Sequence, residues 1–485
     1  MLIVGAGLAG LGAAIRLQQA GIRDFVVLER SDDIGGTWRD NRYPGAACDV
    51  PGLLYAYSFG PAPRWSSTPP AAEEILHHLR ECADGLRLGA RLRLNCEVLE
   101  ARWSDEVGLW YVQASGFRCR ARHLIVATGF LDRPHVPGIP GLDTFGGDAF
   151  HTSRWVGGWD PAGKHVAVIG TGASAVQCVP PLAARAASLT VYQRTPPWVL
   201  PRLGRRVRPA EAALYRRFPR LRRLARTAVY WYRESWVLGF TGPLRRILGP
   251  GLEALAHLHR RRQVADRALR RRLTPDYRFG CKRVVLSNDY YPALQRSGVE
   301  LVTDPVDHIT AGAIVTRDGS TRAADLIVFG TGFTAGRPAV AERITGRAGR
   351  RLAETWRPGM SAHHNVMVAG FPNLFLLLGP NSGLGHSSLT LMLEAQLGYV
   401  TSCLAHLERH GLAEVEVLPG TQHAHADRVR RRMRHTVWES GGCDSWYLDG
   451  EHGHNTALWP GSVASYRART RSFRADGHRV RPLDT

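Results

Sequence analysis

Two glycine-rich stretches carry the most readable chemistry in the chain. Gly5-Ala6-Gly7-Leu8-Ala9-Gly10 is G-x-G-x-x-G, and Gly170-Thr171-Gly172-Ala173-Ser174-Ala175 is G-x-G-x-x-A. In such a turn the first glycine permits the bend, the second lets backbone approach a pyrophosphate, and the third lets helix pack on strand. The helix that follows offers free N–H groups and the positive end of its dipole to the phosphates. Each stretch is preceded by an apolar run, at 2–4 and 165–169, and followed by another, at 25–28 and 189–193. The residues at the tip of the second run differ. Glu29 can accept two hydrogen bonds from a ribose diol, whereas Arg194 and Thr195 would bind a 2′-phosphate that an acid would repel. The second turn is therefore expected to take NADPH rather than NADH. Gln177, on its helix, belongs to the same binding set.

Between the two units lies FGGDAFHTSRW, residues 145–155. Connectors are normally Gly, Ser, Pro and small charges, yet this one holds His151, Arg154 and Trp155 in a short span. Neither a glycine loop nor a strand tip is expected there, so His151 and Trp155 read as a seam that transmits rotation between units. A second unexplained stretch is Ile34-Gly35-Gly36-Thr37-Trp38, followed by Asn41-Arg42-Tyr43-Pro44-Gly45 and Cys48-Asp49. It is polar, aromatic and turn-forming, as a ligand-lining loop should be.

The elements that must position these residues alternate strand and helix. Residues 2–30 read strand, turn, helix, strand, with the helix over 11–19. A helix is expected over 71–83, and alternating strands of a meander over 91–101, 110–114 and 117–121. HLIVATGF at 123–130 is nearly repeated by DLIVFGTGF at 325–333, an internal echo closing each unit. Residues 200–275 are Arg-dense, with helical periodicity at 210–225 and 252–269. Tyr230, Trp231, Tyr232 and Trp236 there read as core or as cavity lining. A last apolar strand spans 371–380, a helix 389–404, and a Trp-, Gly- and His-rich loop 443–460. The fold class is α/β: two Rossmann-like dinucleotide-binding domains, for FAD and NADPH, with a helical insertion in the second. The boundaries read as 1–140 with 334–485 for FAD, 150–199 with 276–333 for NADPH, and 200–275 for the insertion.

Composition narrows the functions. The net charge is +21, but lysine occurs only at Lys164 and Lys282, so the charge is almost all arginine. That bias follows from a GC-rich genome, and no nucleic-acid partner is expected. The insertion is expected to be a solvated helical face, with weak membrane-surface contact as the alternative. Met1 leads directly into a strand pattern without a basic segment or cleavage site, so no signal peptide is expected. No run of about 18 apolar residues occurs, so no membrane span is expected. The eight cysteines are scattered and none forms C-x-x-C, which fits a reducing, cytoplasmic setting and leaves a disulfide reductase without its redox pair. His77-His78 and His363-His364 lack further ligands at useful spacing, so no metal is expected.

Two nucleotide sites in one chain imply electron transfer between two bound cofactors, and Glu29 with Gly36-Thr37-Trp38 suits FAD. Here the sequence resembles the class B flavin monooxygenases. Phe145, Gly147, His151 and Trp155 match F-x-G-x-x-x-H-x-x-x-W, the fingerprint of the Baeyer–Villiger branch, with Val156 where Pro or Asp is usual. Amine- and sulfur-oxidising relatives end this motif in Phe or Tyr; heteroatom oxygenation is thus the alternative activity. The resemblance implies an enzyme that uses NADPH and O2 to insert one oxygen beside a ketone carbonyl through a C4a-peroxyflavin. It further implies that Arg283, in GCKRVVLSNDYYPAL, is the catalytic arginine, that Asp49 positions it, and that Lys282 helps hold the 2′-phosphate. Tyr55 and Val98 match FAD-contact positions, and Trp446 in CDSWYL matches a tail Trp that closes over NADP. After Trp446 the sequence YLDGEHGHN replaces the family's Gly-Ala-Asn. A fixed guanidinium is what such chemistry needs, because negative charge must be held on oxygen in a water-poor site.

Overall fold

The computed structural model describes residues 1–334, 336–449 and 452–482; Gly450 and Glu451 of the tail stretch lie outside them. Two parallel five-stranded sheets organise the chain. The first has the order Leu374–Leu376, Leu124–Val126, Leu2–Val4, Val26–Leu28, Leu92–Arg93. Four of its strands read LIV, VVL, LIV and LFL, because both faces are covered. Side chains alternate between those faces. Ile3, Val27, Ile125 and Phe375 pack with the helices Leu8–Gln19, Ala72–Leu86 and Leu389–Arg409. Leu2, Leu28, Leu124 and Leu374 pack with a meander that carries Trp103 and Trp110.

The second sheet repeats the plan, in the order Val299–Val302, Ser188–Tyr192, His165–Ile169, Leu326–Phe329, Asp148–His151. Val166, Val168, Leu189 and Val191 pack with the helix Ala173–Ala183. Ala167, Tyr192, Ile327 and Phe329 pack with Ile309 and Ile314 of a small antiparallel sheet. The echo between HLIVATGF and DLIVFGTGF is thus one of architecture: each parallel sheet has helices on one face and a meander on the other.

Several sequence expectations needed correction. The stretch 91–101 is not one strand: Leu92–Arg93 ends the first parallel sheet and Val98–Ser104 enters the meander. The helical stretch 210–225 breaks at a proline, giving Pro209–Arg217 and Pro219–Ser235, since the residue before proline, Phe218, is kept out of helical geometry. The later stretch is longer than its periodicity suggested, Arg245–Gln263 followed by Arg267–Arg272. The seam is not a bare connector. Asp148–His151 is the edge strand of the second sheet, and His151 is its last residue.

Two chain segments link the units side by side. His135 N–H donates to Gly332 O at 2.9 Å and Thr334 N–H to Arg133 O at 2.9 Å, with an antiparallel bridge between Pro134 and Phe333. The insertion leaves and returns through a short parallel pair, Val199–Leu200 with Val285–Leu286. Its Arg205–Arg206 also pairs with Ser67–Thr68 of the first unit.

Candidate active site

The first turn has the packing its glycines require. A Cβ on Gly10 would lie 1.8 Å from the Gly5 carbonyl oxygen, so only glycine lets this helix meet the strand so closely. Gly7 caps the helix Leu8–Gln19 without any side-chain hydrogen bond, leaving its first N–H groups free of a side-chain cap. Gly36 faces it: a Cβ there would come within 3.2 Å of Gly7 Cα. The two glycines border a cavity that Glu29, Thr37, Trp38, Tyr55 and Val98 also line. A slot bounded by two bare Cα atoms beside such a helix start fits a dinucleotide pyrophosphate. Glu29 is 5% exposed, accepting from Ala6 N–H at 2.8 Å and Ser31 N–H at 3.1 Å, with Arg39 Nη1 at 3.2 Å. Trp38 Nε1 donates to Tyr55 Oη at 3.0 Å, which fixes one wall.

The second turn is built alike. Gly172 caps Ala173–Ala183 without a side-chain bond. The third position is alanine because the facing strand supplies the missing space: a Cβ on Gly330 would lie 2.8 Å from Ala175 Cβ. Thr171 Oγ1 donates to Thr195 O at 2.8 Å, tying the turn to the strand tip. Arg194 is exposed and, among the described residues, has no hydrogen bond or ion pair. It lies close enough to Lys282 to repel it. Burial first, then the Arg194 charge, lowers the Lys282 pKa below its ordinary value. Two cations converging beside an uncapped helix start fit a bound phosphate. Gln177 serves as a bridge to the first unit. It accepts from Tyr43 Oη at 2.8 Å and donates to Ala47 O at 3.0 Å.

Asp49 and Arg283 come from opposite ends of this arrangement and meet. Arg283 Nη2 donates to Asp49 Oδ2 at 2.8 Å, across 234 residues of sequence. Asp49 is 11% exposed at its side chain and Arg283 48%, so the cation is fixed on one side and open on the other. Burial pulls the Arg283 pKa down, but the charge of Asp49, with Tyr447, more than offsets this and holds it above the ordinary value. Trp446, beside Tyr447, is 40% exposed and stacks on Phe130 at 6.1 Å. Its ring therefore sits over the end of HLIVATGF, where the chain crosses between units.

Of the seam residues, His151 reaches that crossing, through Phe333. His151 is 3% exposed; its Nδ1 accepts from Ser153 N–H at 3.2 Å, and its ring meets Phe333 edge-on at 5.3 Å. Burial lowers its pKa. Gly147 has no room for a side chain, since a Cβ would approach Asp325 O to 2.4 Å. Phe145 packs against the second core, and Trp155 meets Phe150 edge-on at 5.0 Å.

Three features escaped sequence reasoning. Cys281 and Cys443, 162 residues apart, form a disulfide that ties the Lys282-Arg283 segment to the tail loop before Trp446. This corrects the expectation of eight unpaired thiols; the other six are free. Arg233, from the insertion, feels the charges of both Asp49 and Arg283, and burial lowers its pKa. Its guanidinium lies 4.9 Å from the Trp236 ring. One arginine among the twenty in 200–275 gave no sequence signal. Finally, His363 and His364 are joined by His425 and His478, with ring centroids 4.0–5.5 Å apart. Among the described residues no group of His, Cys, Asp or Glu is arranged to hold a metal.

Comparison with known proteins agrees with this layout. A family model described as pyridine nucleotide-disulphide oxidoreductase matches residues 2–212. A Baeyer–Villiger monooxygenase of Streptomyces coelicolor is 45% identical over 470 residues, covering 97% of this chain and 90% of that protein. The closed crystal structure of cyclohexanone monooxygenase superposes with a TM-score of 0.89 at 27% identity, covering 99% of each chain. A crystal structure of OTEMO in complex with FAD and NADP gives 0.87 at 27% identity, covering 99% of this chain and 98% of that one. At that identity and coverage, with both nucleotide turns, the seam motif and the Arg283–Asp49 pair in place, the chain belongs to the Baeyer–Villiger monooxygenase family.

Proposed function

We propose that each nucleotide turn, the Arg283–Asp49 pair and the seam have separate parts in one reaction. The enzyme is an FAD- and NADPH-dependent Baeyer–Villiger monooxygenase: a ketone, O2, NADPH and a proton become an ester or lactone, NADP+ and water. Gly5, Gly7, Gly10, Glu29, Gly36, Thr37, Trp38, Tyr55 and Val98 would hold FAD; Gly170, Thr171, Gly172, Ala173, Ser174, Arg194, Thr195 and Lys282 would hold NADPH. Bound FAD, reduced by NADPH, supplies the dioxygen-activating centre. Everything else is done by side chains. Arg283 keeps positive charge beside the oxygens that become negative as the carbonyl is attacked, and Asp49 keeps that guanidinium aimed. Trp446 covers the crossing and limits water. His151 and Trp155 couple the two units, and Gln177 latches the 41–49 loop to the NADPH side. The domains divide as 1–140 with 334–485, 150–199 with 276–333, and 200–275. The protein works in the cytoplasm on a small ketone, with weak membrane-surface contact through the insertion.

The observation that carries this reading is the Arg283–Asp49 pair, a cation held on one side and open on the other. The test is Arg283→Ala. NADPH should still bleach the flavin, while ester formation falls roughly 10²–10³-fold, the effect of removing one preorganised donor. Full ester formation in the variant would overturn the assignment.

A further inference from the structure

The insertion wears its apolar residues outward. In the helix Pro219–Ser235, Leu221, Leu224, Ala228 and Trp231 recur at three- and four-residue intervals, the spacing of a face that normally meets a core. All four are exposed, with Leu224 at 68% and Trp231 at 58%. The inward side places Tyr230 and Val229 against the core and sets polar groups beside them. Arg226 donates to the carbonyls of Leu53 and Ala56 and pairs with Glu394 at 3.0 Å. Two turns further on, Glu234 is 4% exposed and pairs with His386 at 3.4 Å.

The helix Arg245–Gln263 and the turn before it show the same inversion. Leu244, Ile247, Leu248, Leu255 and Leu258 are exposed, Ile247 at 72%, while Ala256, His259 and Arg260 are buried and, of the leucines, Leu252 packs against the core. Thirteen of the 22 large apolar side chains exposed among the described residues fall between Leu203 and Leu258. The core has already been built without them, so these residues do not hold the monomer together.

Charge identifies the occupant of this face. Residues 200–275 contain twenty Arg and four acidic residues, a net +16 of the chain's +21. A second copy apposed through the same face would bring +16 against +16, which opposes a dimer there. Exposed Arg216, Arg217, Arg220, Arg223, Arg261 and Arg262 border apolar side chains that include a tryptophan. Leucines and Trp entering the acyl boundary, with arginines on phosphate headgroups, is the chemistry of interfacial helices. No helix among the described residues is long and apolar enough to cross a membrane, so the contact is peripheral.

We infer that the outward faces of Pro219–Ser235 and Arg245–Gln263 dock the enzyme on an anionic lipid bilayer. This rests on the reading of 200–275 as a helical insertion that touches membranes, and it commits that contact to specific faces and to anionic headgroups. It also suits an enzyme for apolar ketones, which concentrate in the bilayer.

The experiment is flotation of the FAD-loaded full chain with phosphatidylcholine vesicles, with and without phosphatidylglycerol. Anionic vesicles should be bound at least about tenfold more tightly, since each basic residue near such a surface contributes about 1 kcal/mol. High salt should weaken that binding. The combined variant Leu224→Ser, Trp231→Ser, Ile247→Ser should lose flotation yet still oxidise ketones, because all three side chains are exposed. A separate pair, Arg220→Glu with Arg223→Glu, should lose the preference for phosphatidylglycerol. Brominated lipid should quench tryptophan emission in the parent and not in Trp231→Phe. The inference fails if the protein stays with the buffer on both vesicles, binds both equally, or floats unchanged after the serine substitutions. It fails equally if those substitutions abolish self-association instead. Ketone oxidation without flotation would sink the docking face alone; absence of ketone oxidation would sink the functional reading.

Discussion

At the scale of single residues, the proposed preference of the second turn for NADPH rests on charge without a partner. Arg194 has no counter-ion among the described residues, and Lys282 is depressed first by burial and then by Arg194. A phosphate between them would relieve the repulsion between the two cations, whereas a bare ribose hydroxyl would not. We therefore expect Arg194→Ala to weaken NADPH by roughly ten- to hundredfold, equivalent to the 1.5–3 kcal/mol of a charged hydrogen bond. NADH use should change little. Initial rates at varied NADPH and NADH check this, and an equal loss for both would remove the 2′-phosphate from the argument. The residue type was readable here from sequence, but the convergence of Lys282 on Arg194 across 88 positions was not, since only the fold brings Val285–Leu286 beside Val199–Leu200.

At the scale of elements, the same distinction recurs. Strands buried on both faces, such as Leu2–Val4 and Leu326–Phe329, were legible because every residue in them is apolar. Edges were not. Leu92–Arg93 and Asp148–His151 carry polar residues and borrow their strand character from a neighbour, so periodicity alone could not separate them from loop. The histidine cluster was equally hidden. His363 and His364 meet His425 from the helix Pro419–Met433 and His478 from the strand His478–Pro482. Burial, and then neighbouring histidines or arginines, pushes His363, His364 and His425 down to about 3 from an ordinary 6.5. The sign follows from the depression: below the ordinary value the unfolded chain takes up protons that the folded one refuses. Stability is therefore full above pH 6.5 and declines as pH falls from 6.5 towards 3. Each histidine contributes at most about 1.4 kcal/mol per pH unit. Urea unfolding followed from about pH 7.5 to about pH 5.5 should lose up to about 4 kcal/mol across the three. His425→Gln should make that slope shallower. A midpoint independent of pH in this window would mean that the cluster is open to water.

At the scale of the whole molecule, the units meet through a shared apolar core of Trp198, Phe279, Val437 and Trp438, through the Cys281–Cys443 disulfide, and through polar contacts that include the paired segments at 133–135 and 332–334, the Gln177 latch, the Asp49–Arg283 pair and the insertion's grip on 53–56. On the proposed reading, the cation that serves the oxygen centre is carried by one unit and aimed by the other, so a relative rotation would change the aim. His151 ends the edge strand next to the paired segments, with its Nδ1 taken by Ser153 N–H and its ring against Phe333. Its Nε2 is buried and outside full hydrogen-bond geometry, while the Gly332 backbone is near enough to raise its pKa against burial, so a small shift of Gly332 would complete or break that contact. Such an atom suits a residue that reads position rather than one that transfers protons. His151→Asn retains an acceptor for Ser153 N–H and removes the ring from Phe333. It should keep its full FAD content and its rate of flavin reduction by NADPH, while ester formation slows roughly three- to thirtyfold, the 0.5–2 kcal/mol range of a coupling residue. His151→Ala should slow it at least as much. Stopped-flow measurement separates the reduction and oxygenation phases. If the reduction phase slows in parallel with oxygenation, or if FAD is lost, His151 supports the fold at that edge and the coupling must run through the Gln177 latch instead.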